Sequence, residues 1–415
     1  MRWGSRTAAA ALAVLTVAAT ASAASRHMTA ARANGWHTLL NAKIQGVFPL
    51  GFASGRVWFV VEDPQSNVAV WSARPAGAAL TSPVSTSMGT NEWIPNSFIV
   101  GSSLVNCCVT PNGSSIAPLL ASGKVGAWQP LPGNPEQTTH DGIPIPTGTG
   151  KWLTHAAAAV GGRTIWQVSG SSCTAAHPCG INGGGISLLA LCCTAAGQPV
   201  NLTSLLTNQT KAGATDSEMG TDAHGRLWFA WLDGASSKPG IAFKLLQLDP
   251  QTLKPLATKV IDHVLLFNYT GGKSFDLVCA DTCRLVYQGF LGAFSWDGGA
   301  PTRIWANNVR KDQGGHLLDA AAIGGGLDVA NYSDKVSNSP DAGQQIAVER
   351  GTSRGTSLRK VSSTTIPLSL PGPPTRPFEL QGVPTAMFTP SGLAVLGLYM
   401  STSGATRLVD TVLRG

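Results

Sequence analysis

Charge is scarce in this sequence of 415 residues: Asp, Glu, Lys and Arg together make up 12% of it. A disordered chain combines high charge with low hydrophobicity, so disorder is excluded by the 43% of residues that are hydrophobic. A helix-rich fold is disfavoured as well, because the 48 glycines and 26 prolines break helices. The composition therefore points to an all-β globular fold.

Two common metal signatures are also missing. The sequence contains neither a His-Glu-x-x-His nor a Cys-x-x-Cys motif. No dense stripe of Lys and Arg accompanies the net charge of +7, so nucleic acid is not predicted as a partner. Arg2 and Arg6 leave with the signal peptide predicted below, and the remaining surplus of +5 favours loose contact with anionic polymers of a cell wall.

Long hydrophobic runs are limited to the N-terminus. Arg2 and Arg6 precede an apolar run from Thr7 to about Thr20, and the small residues of Ala21-Ser22-Ala23 suit signal peptidase. The run is shorter than the roughly 20 residues that a membrane-spanning helix needs. We therefore expect a signal peptide over residues 1–23, cleaved after Ala23, a disordered tail over 24–33, and an exported protein without stable membrane insertion.

Eight cysteines agree with export, because disulfides persist outside the cytosol. Cys173 and Cys179 bracket one short loop and Cys279 and Cys283 another, so each couple is predicted to form a local disulfide. Two doublets remain, Cys107-Cys108 and Cys192-Cys193. A bond between adjacent cysteines needs a strained ring, and cross-pairing of the two doublets is therefore the preferred expectation.

A repeated layout organises the chain. Seven segments share a small-residue apolar strand, a Gly-containing turn and a strand rich in β-branched and aromatic residues. They begin at Val47, Ser97, His155, Glu218, Asp276, Asp319 and Thr385. Four short strands per unit at this spacing predict a single all-β domain over residues 34–415, a β-propeller of seven four-stranded blades, with six as the alternative.

Aromatic residues of the second strands fit this arrangement. Trp58, Trp166, Trp228 and Tyr287 occupy that strand, where they are expected to pack between blades. Stacking of a sugar on Trp228 or Trp231 is the alternative interpretation. The segment from Trp36 precedes the first repeat without a partner, and its pairing with the last blade would close the ring and cover two strand edges.

The stretch from Asp222 to Phe229, Asp-Ala-His-Gly-Arg-Leu-Trp-Phe, resembles the Asp-x-x-Gly-x-hydrophobic-Trp-Phe repeat of NHL-type and virginiamycin B lyase-like propellers. Gly55-Arg-Val-Trp-Phe matches it in part. The resemblance implies the propeller fold. It also implies that a divalent metal could lie at one mouth of the central channel, as in lyases and lactonases built on such propellers.

The candidate site comes from the residue that begins each inner strand, because inner strands start at one mouth of the channel. In chain order these residues are Phe48, Asn96, His155, Glu218, Asp276, Asp319 and Thr385. Converging carboxylates repel one another and recruit cations. Asn96, His155, Glu218, Asp276 and Asp319 are therefore predicted ligand-binding residues, and the three acids are predicted ligands of calcium or magnesium. Asp at a strand start can equally serve as a turn partner.

Two functions follow as expectations. The first is an exported binding module that recognises a small molecule, a glycan or a cell-surface protein at the funnel. The second is a divalent-metal-dependent lyase or lactone hydrolase that uses His155 as its base. Fold alone does not decide between them.

Overall fold

The computed structural model describes residues 35–90, 97–110, 113–130, 156–172, 186–206, 217–233, 241–264, 275–287, 292–296, 302–306, 315–323, 326–333, 344–352, 359–370 and 377–414. The predicted signal peptide and tail, residues 1–33, lie outside them. Strand pairs in the described part are antiparallel, and its one helical element is a single 3-10 turn, Thr203–Leu205. The all-β prediction is confirmed.

The described residues form seven sheets, of which the first three use the first half of the chain. The first sheet contains β2–β5, at Gly46–Ala53, Arg56–Glu62, Asn67–Ala76 and Ala79–Thr90. The second contains β6–β9, at Phe98–Val100, Ser103–Thr110, Gly113–Pro118 and Gln129–Pro130. The third contains β10–β13, at Ala157–Val160, Arg163–Ser172, Ile186–Cys192 and Val200–Asn201.

Three further four-stranded sheets follow. The fourth contains β14–β17, at Ser217–Thr221, Leu227–Asp233, Ile241–Leu248 and Pro255–Val264. The fifth contains β18–β21, at Phe275–Cys279, Cys283–Tyr287, Gly292–Ser295 and Thr302–Ala306. The sixth contains β22–β25, at Gly315–Ile323, Gly326–Ser333, Gln344–Thr352 and Arg359–Ile366.

The seventh sheet has six strands and joins the two ends of the described chain. Its strands are β1 at His37–Asn41 and β26–β30 at Ser369–Leu370, Phe378–Leu380, Thr385–Thr389, Gly392–Ser401 and Thr406–Leu413. Strand β1 pairs with β30, which confirms the predicted closure by the N-terminal strand. Strands β26 and β27, absent from the sequence prediction, extend the sheet by pairing along the end of the long strand β29.

In six of the sheets the first strand in the chain is the innermost one, and in the seventh sheet the innermost strand is β28. Each of these strands contacts the inner strands of the two neighbouring sheets, in the order β2, β6, β10, β14, β18, β22, β28 and back to β2. The contacts therefore close a ring, which confirms the β-propeller fold. Sheet faces meet in the gaps between blades, and seven hydrophobic clusters fill those gaps, one for each pair of neighbours.

Aromatic residues of the second strands lie in these clusters, as predicted. Trp58 and Trp228 are fully buried, and Trp166 and Tyr287 are nearly so. Trp231 is also fully buried. Stacking of a sugar on Trp228 or Trp231 is therefore wrong, because neither indole has a face open to solvent.

Disulfide pairing agrees with the sequence at one place and differs at another. Cys279 and Cys283 are bonded across the β18–β19 turn, as predicted. Cys192 is bonded to Cys193, so the expected cross-pairing of the doublets is wrong. The reason is local: both residues stand together at the end of β12, and their bond needs no approach of two sheets. Cys173 and Cys179, and the side chains of Cys107 and Cys108, lie outside the described residues.

Candidate functional site

Three acidic residues predicted for the site lie on three consecutive inner strands. Glu218 is on β14, Asp276 on β18 and Asp319 on β22. Strand β18 contacts both of the others along the wall of the channel. The propeller therefore brings together segments that are 58 and 43 residues apart in the chain.

Two of the carboxylates reach sideways to the next blade. Oε2 of Glu218 accepts a hydrogen bond of 3.3 Å from the backbone N–H of Leu277 on β18. Oδ2 of Asp319 accepts one of 2.7 Å from the backbone N–H of Phe388 on β28. Both side chains are partly exposed. Each carboxylate thus fixes the inner strand of its neighbour and keeps some contact with solvent.

The side chain of Asp276 is also directed toward the next blade, but it is buried more deeply, with 4% exposure. Its neighbours Phe275 and Leu277 pack in the cluster between the fourth and fifth sheets. Because side chains alternate along a strand, Asp276 lies on the face toward the sixth sheet. The three acids therefore occupy three successive gaps between blades.

This arrangement bears on the metal prediction. Among the described residues, no group of three or more His, Cys, Asp or Glu side chains is placed to hold a metal ion. Asn96 and His155 lie outside the described residues. Calcium or magnesium binding, and the role of His155 as a base, therefore stay predictions.

A cavity of about 90 Å³ lies elsewhere, between the sixth and seventh sheets. Asp328, Arg350 and Ser391 contribute its polar lining. Its volume suits a few water molecules. Pockets for drug-sized ligands measure roughly 300–1,000 Å³, so this cavity is too small to be the predicted funnel.

The serine motif of hydrolases occurs once and in the wrong context. Gly351-Thr-Ser-Arg-Gly355 fits Gly-x-Ser-x-Gly, a spacing that our sequence reasoning missed. A nucleophile elbow joins a strand to a helix. Here the segment joins β24 to β25, which pair antiparallel, and Ser353 itself lies outside the described residues. The motif therefore gives no support to a hydrolase.

A second feature that sequence reasoning missed is a recurring arginine. Arg56 and Arg163 each follow a glycine and begin a second strand, and Arg226 follows a glycine just before one. Arg284 is the second residue of the second strand of the fifth sheet. The Gly-Arg spacing was visible in the repeats. Its meaning depends on which atoms the guanidinium groups meet once the chain has folded, and the Gly-Arg spacing does not contain that information.

The known proteins that resemble this chain do so in structure and at low sequence identity. No family model and no curated protein matches the sequence. The polysaccharide lyase Uly1 is similar in structure with 9% identity and a TM-score of 0.43, over 93% of this chain and 94% of that one. Trypanosoma rangeli sialidase in complex with sialic acid is similar with 10% identity and a TM-score of 0.39, over 92% of this chain and 59% of that one. A GH43 endo-arabinanase from Bacillus licheniformis is similar with 15% identity and a TM-score of 0.31, over 76% of this chain and 91% of that one.

At these identities the likeness says nothing about a shared site, and the NHL-type resemblance stays a prediction. None of the helical structure in the described part of the chain is long and apolar enough to cross a membrane.

Proposed function

We propose that this protein is an exported β-propeller binding module whose ligand contacts the inner-strand carboxylates Glu218 and Asp319, on the two strands that flank the strand of the buried Asp276. The ligand is a small molecule, a glycan or a cell-surface component that presents hydroxyl or cationic groups. One observation carries the proposal: acids from three consecutive repeats stand on adjacent inner strands of one channel wall.

The chemistry of the wall selects the ligand class. Ionised carboxylates accept hydrogen bonds and donate none, so they suit the hydroxyl groups of sugars and the ammonium groups of amino sugars. They repel anionic ligands unless a divalent cation bridges the two. Calcium or magnesium is therefore part of the proposal as a bridging ion, which Glu218 or Asp319 would share with an anionic ligand.

Export rests on the predicted signal peptide. The bonds Cys279–Cys283 and Cys192–Cys193 support it, because disulfides are mainly a feature of oxidising compartments. The same compartment would give access to glycans and other surface polymers.

Binding to three glycans tests the proposal, by calorimetric titration in EDTA and again in calcium chloride. Chitosan oligomers are cationic, cellohexaose is neutral and polygalacturonate is anionic. We expect binding in EDTA to the first or second, and binding of polygalacturonate that strengthens when calcium is added. The double variant Glu218→Gln/Asp319→Asn keeps the shape of both side chains and should lose at least tenfold in affinity, about 1.4 kcal/mol.

Glu379→Gln is the matched control, because Glu379 is an exposed acid on β27, an added strand of the seventh sheet. Its affinity should equal that of the natural protein. Failure of all three glycans to bind in either buffer would remove the glycan part of the proposal. Equal binding by the double variant would remove the inner-strand acids from the site.

A further inference from the structure

Turns from different sheets meet on one face of the propeller. The backbone N–H of Ala223, in the β14–β15 turn, donates to the carbonyl of Ala280 in the β18–β19 turn. Ala195, in the β12–β13 turn, donates to the carbonyl of Gln251 in the β16–β17 turn. The first and third turns of neighbouring sheets thus lie together. We call this side of the molecule the turn face; it is opposite the starts of the inner strands.

The recurring arginines lie on the turn face and meet two kinds of partner. Nε of Arg226 forms an ion pair of 2.6 Å with Asp222. In contrast, Arg56 donates to Oγ and the carbonyl of Ser72 and to the carbonyl of Ser82. Arg163 donates to the carbonyls of Cys193 and Pro250. The described acceptors of Arg56 and Arg163 are neutral, so none of these contacts offsets a positive charge.

More cations stand around Arg56. Arg74 lies beside it on the same face of the first sheet, because Val57 and Ala73 are register partners, and donates to the carbonyl of Ala121 at 3.4 Å. Lys124, in the same loop of the second sheet, donates to the carbonyl of Ser85. These contacts hold three cations at one seam between blades.

Arg414 extends the group from the seventh sheet. Its Nη2 atom lies 4.0 Å from the position that a Cβ on Gly77 would take, in the turn that follows Arg74. Arg74, Lys124 and Arg414 are exposed, whereas Arg56 is buried, with 2% of its surface exposed. We call Arg56, Arg74, Lys124 and Arg414 the cationic patch.

Few acidic side chains lie near the patch. Within the described residues 35–130 the acids are Glu62 and Asp63, which stand at the far end of β3 from Arg56. Asp410 of β30 is fully buried at the seam between the seventh and first sheets, where it accepts the backbone N–H of Leu80. The pKa of Arg56 is lowered by burial and by the nearby charge of Arg74. Like charges brought together without a counter-charge repel each other, and a bound anion would relieve that repulsion.

We infer that the cationic patch is a second binding surface, and that it takes a linear polyanion bearing phosphate groups. Three exposed cations provide ionic contacts, and the buried Arg56 adds positive potential beneath them. Two of those three are arginines, whose planar fork matches phosphate oxygens in a bidentate way. Binding on the turn face would leave the inner-strand acids open on the opposite side.

Titration with long-chain inorganic polyphosphate, attached to a biosensor surface, tests the inference. We expect binding that weakens steeply as salt rises, because each ionic contact releases counterions. The double variant Arg74→Gln/Lys124→Gln should lose about tenfold or more in affinity, as expected for two charge-assisted contacts. Arg74→Lys/Lys124→Arg, which keeps both charges, should retain binding.

Arg359→Gln/Lys360→Gln is the matched control, since it removes two exposed charges from the same face at the sixth sheet. An equal loss in both Gln double variants would show that net charge alone attracts the polymer, and would overturn the patch. Equal affinity for polygalacturonate would overturn the preference for phosphate. The Glu218→Gln/Asp319→Asn variant should bind polyphosphate normally, so the two proposals fail separately. Unchanged melting temperatures confirm that the variants are folded.

Discussion

Asp222 accepts a hydrogen bond of 2.8 Å from the indole Nε1–H of Trp228, six residues along the chain. The same carboxylate accepts hydrogen bonds from the backbone N–H groups of His224 and Arg226 and from the Arg226 side chain. One buried acid therefore closes the turn and orients the aromatic residue that fills the gap between blades. The Asp-x-x-Gly-x-hydrophobic-Trp-Phe pattern has its physical reason in these contacts.

Asp222→Ala should lower the free energy of unfolding by about 2–3 kcal/mol, because buried donors on Trp228 and the turn lose their acceptor. Burial by itself would raise the pKa of Asp222, but hydrogen bonds from Trp228 and Arg226 outweigh it and the pKa lies below its usual value. This contribution is present above the unfolded pKa of about 3.9 and is lost in stronger acid. Urea titration at pH 7 measures the loss. Asp249→Ala, in an exposed turn, should cost about 1 kcal/mol; an equal cost at both sites would contradict the role of burial.

Asp410 should make the protein less stable as pH rises. It is fully buried at the seam between the seventh and first sheets, where Oδ2 accepts the backbone N–H of Leu80 at 2.5 Å. Burial raises its pKa to about 7. The native state therefore holds a proton that the unfolded chain releases near pH 4, and stability falls between pH 4 and 7 and then levels off.

The measurement for Asp410 is the difference in melting temperature between the natural protein and Asp410→Asn across that pH range. The two melting temperatures should be similar near pH 4.5. At pH 8 the Asp410→Asn variant should melt at the higher temperature, with a gain in the free energy of unfolding on the order of 2–4 kcal/mol. His37 is the register partner of Asp410 on β1, and His37→Gln is the matched control. A pH profile that is identical in the natural protein and Asp410→Asn would rule the buried acid out.

Trp36 anchors the closing segment of the ring. It is 2% exposed and packs in the cluster between the sixth and seventh sheets. Trp36→Ala should lower the free energy of unfolding by about 3–5 kcal/mol, because it leaves a large cavity beside β1. Leu256→Ala is the control, as Leu256 is 61% exposed, and its effect should stay within about 0.5 kcal/mol. A mild effect of Trp36→Ala in urea titration would mean that the ring closes without this residue.

Gly392 begins β29 with φ at +140°, and a Cβ there would meet the carbonyl oxygen of Leu413 at 2.0 Å. Gly392→Ala must therefore push β29 and β30 apart, at a cost of about 3 kcal/mol or more. Gly404→Ala has a positive φ but open space around it, and should cost about 1 kcal/mol. Thermal unfolding measures both variants. Gly404→Ala reports the cost of backbone strain alone, and Gly392→Ala reports the cost of strain together with the collision. Equal melting temperatures would contradict the collision.

Local patterns predicted much of the fold. Alternating hydrophobic residues, glycine turns and recurrent aromatics on the second strand led to the propeller and to the buried positions of Trp58 and Trp228. The unpaired segment from Trp36 predicted ring closure correctly. Strands β26 and β27 escaped notice because they are two and three residues long, too short to show a period.

The candidate site was less accessible to such reasoning. Alignment of the repeats placed Glu218, Asp276 and Asp319 at the starts of inner strands, but the direction of each side chain depends on strand register and on the facing blade. Glu218 reaches Leu277 and Asp319 reaches Phe388, so each acid meets the blade that follows it. A sequence carries no record of such partners, since they are 59 and 69 residues away.

Composition and periodicity, which depend only on neighbouring residues, determined that this chain forms antiparallel strands and closes them into a ring. The distribution of charge between the two ends of that ring was decided by the tertiary structure. Arg163 donates to the carbonyl of Pro250 in the next blade, 87 residues along the chain, and no local pattern contains that contact. Electrostatic energy depends on distance in space, and folding alone sets that distance.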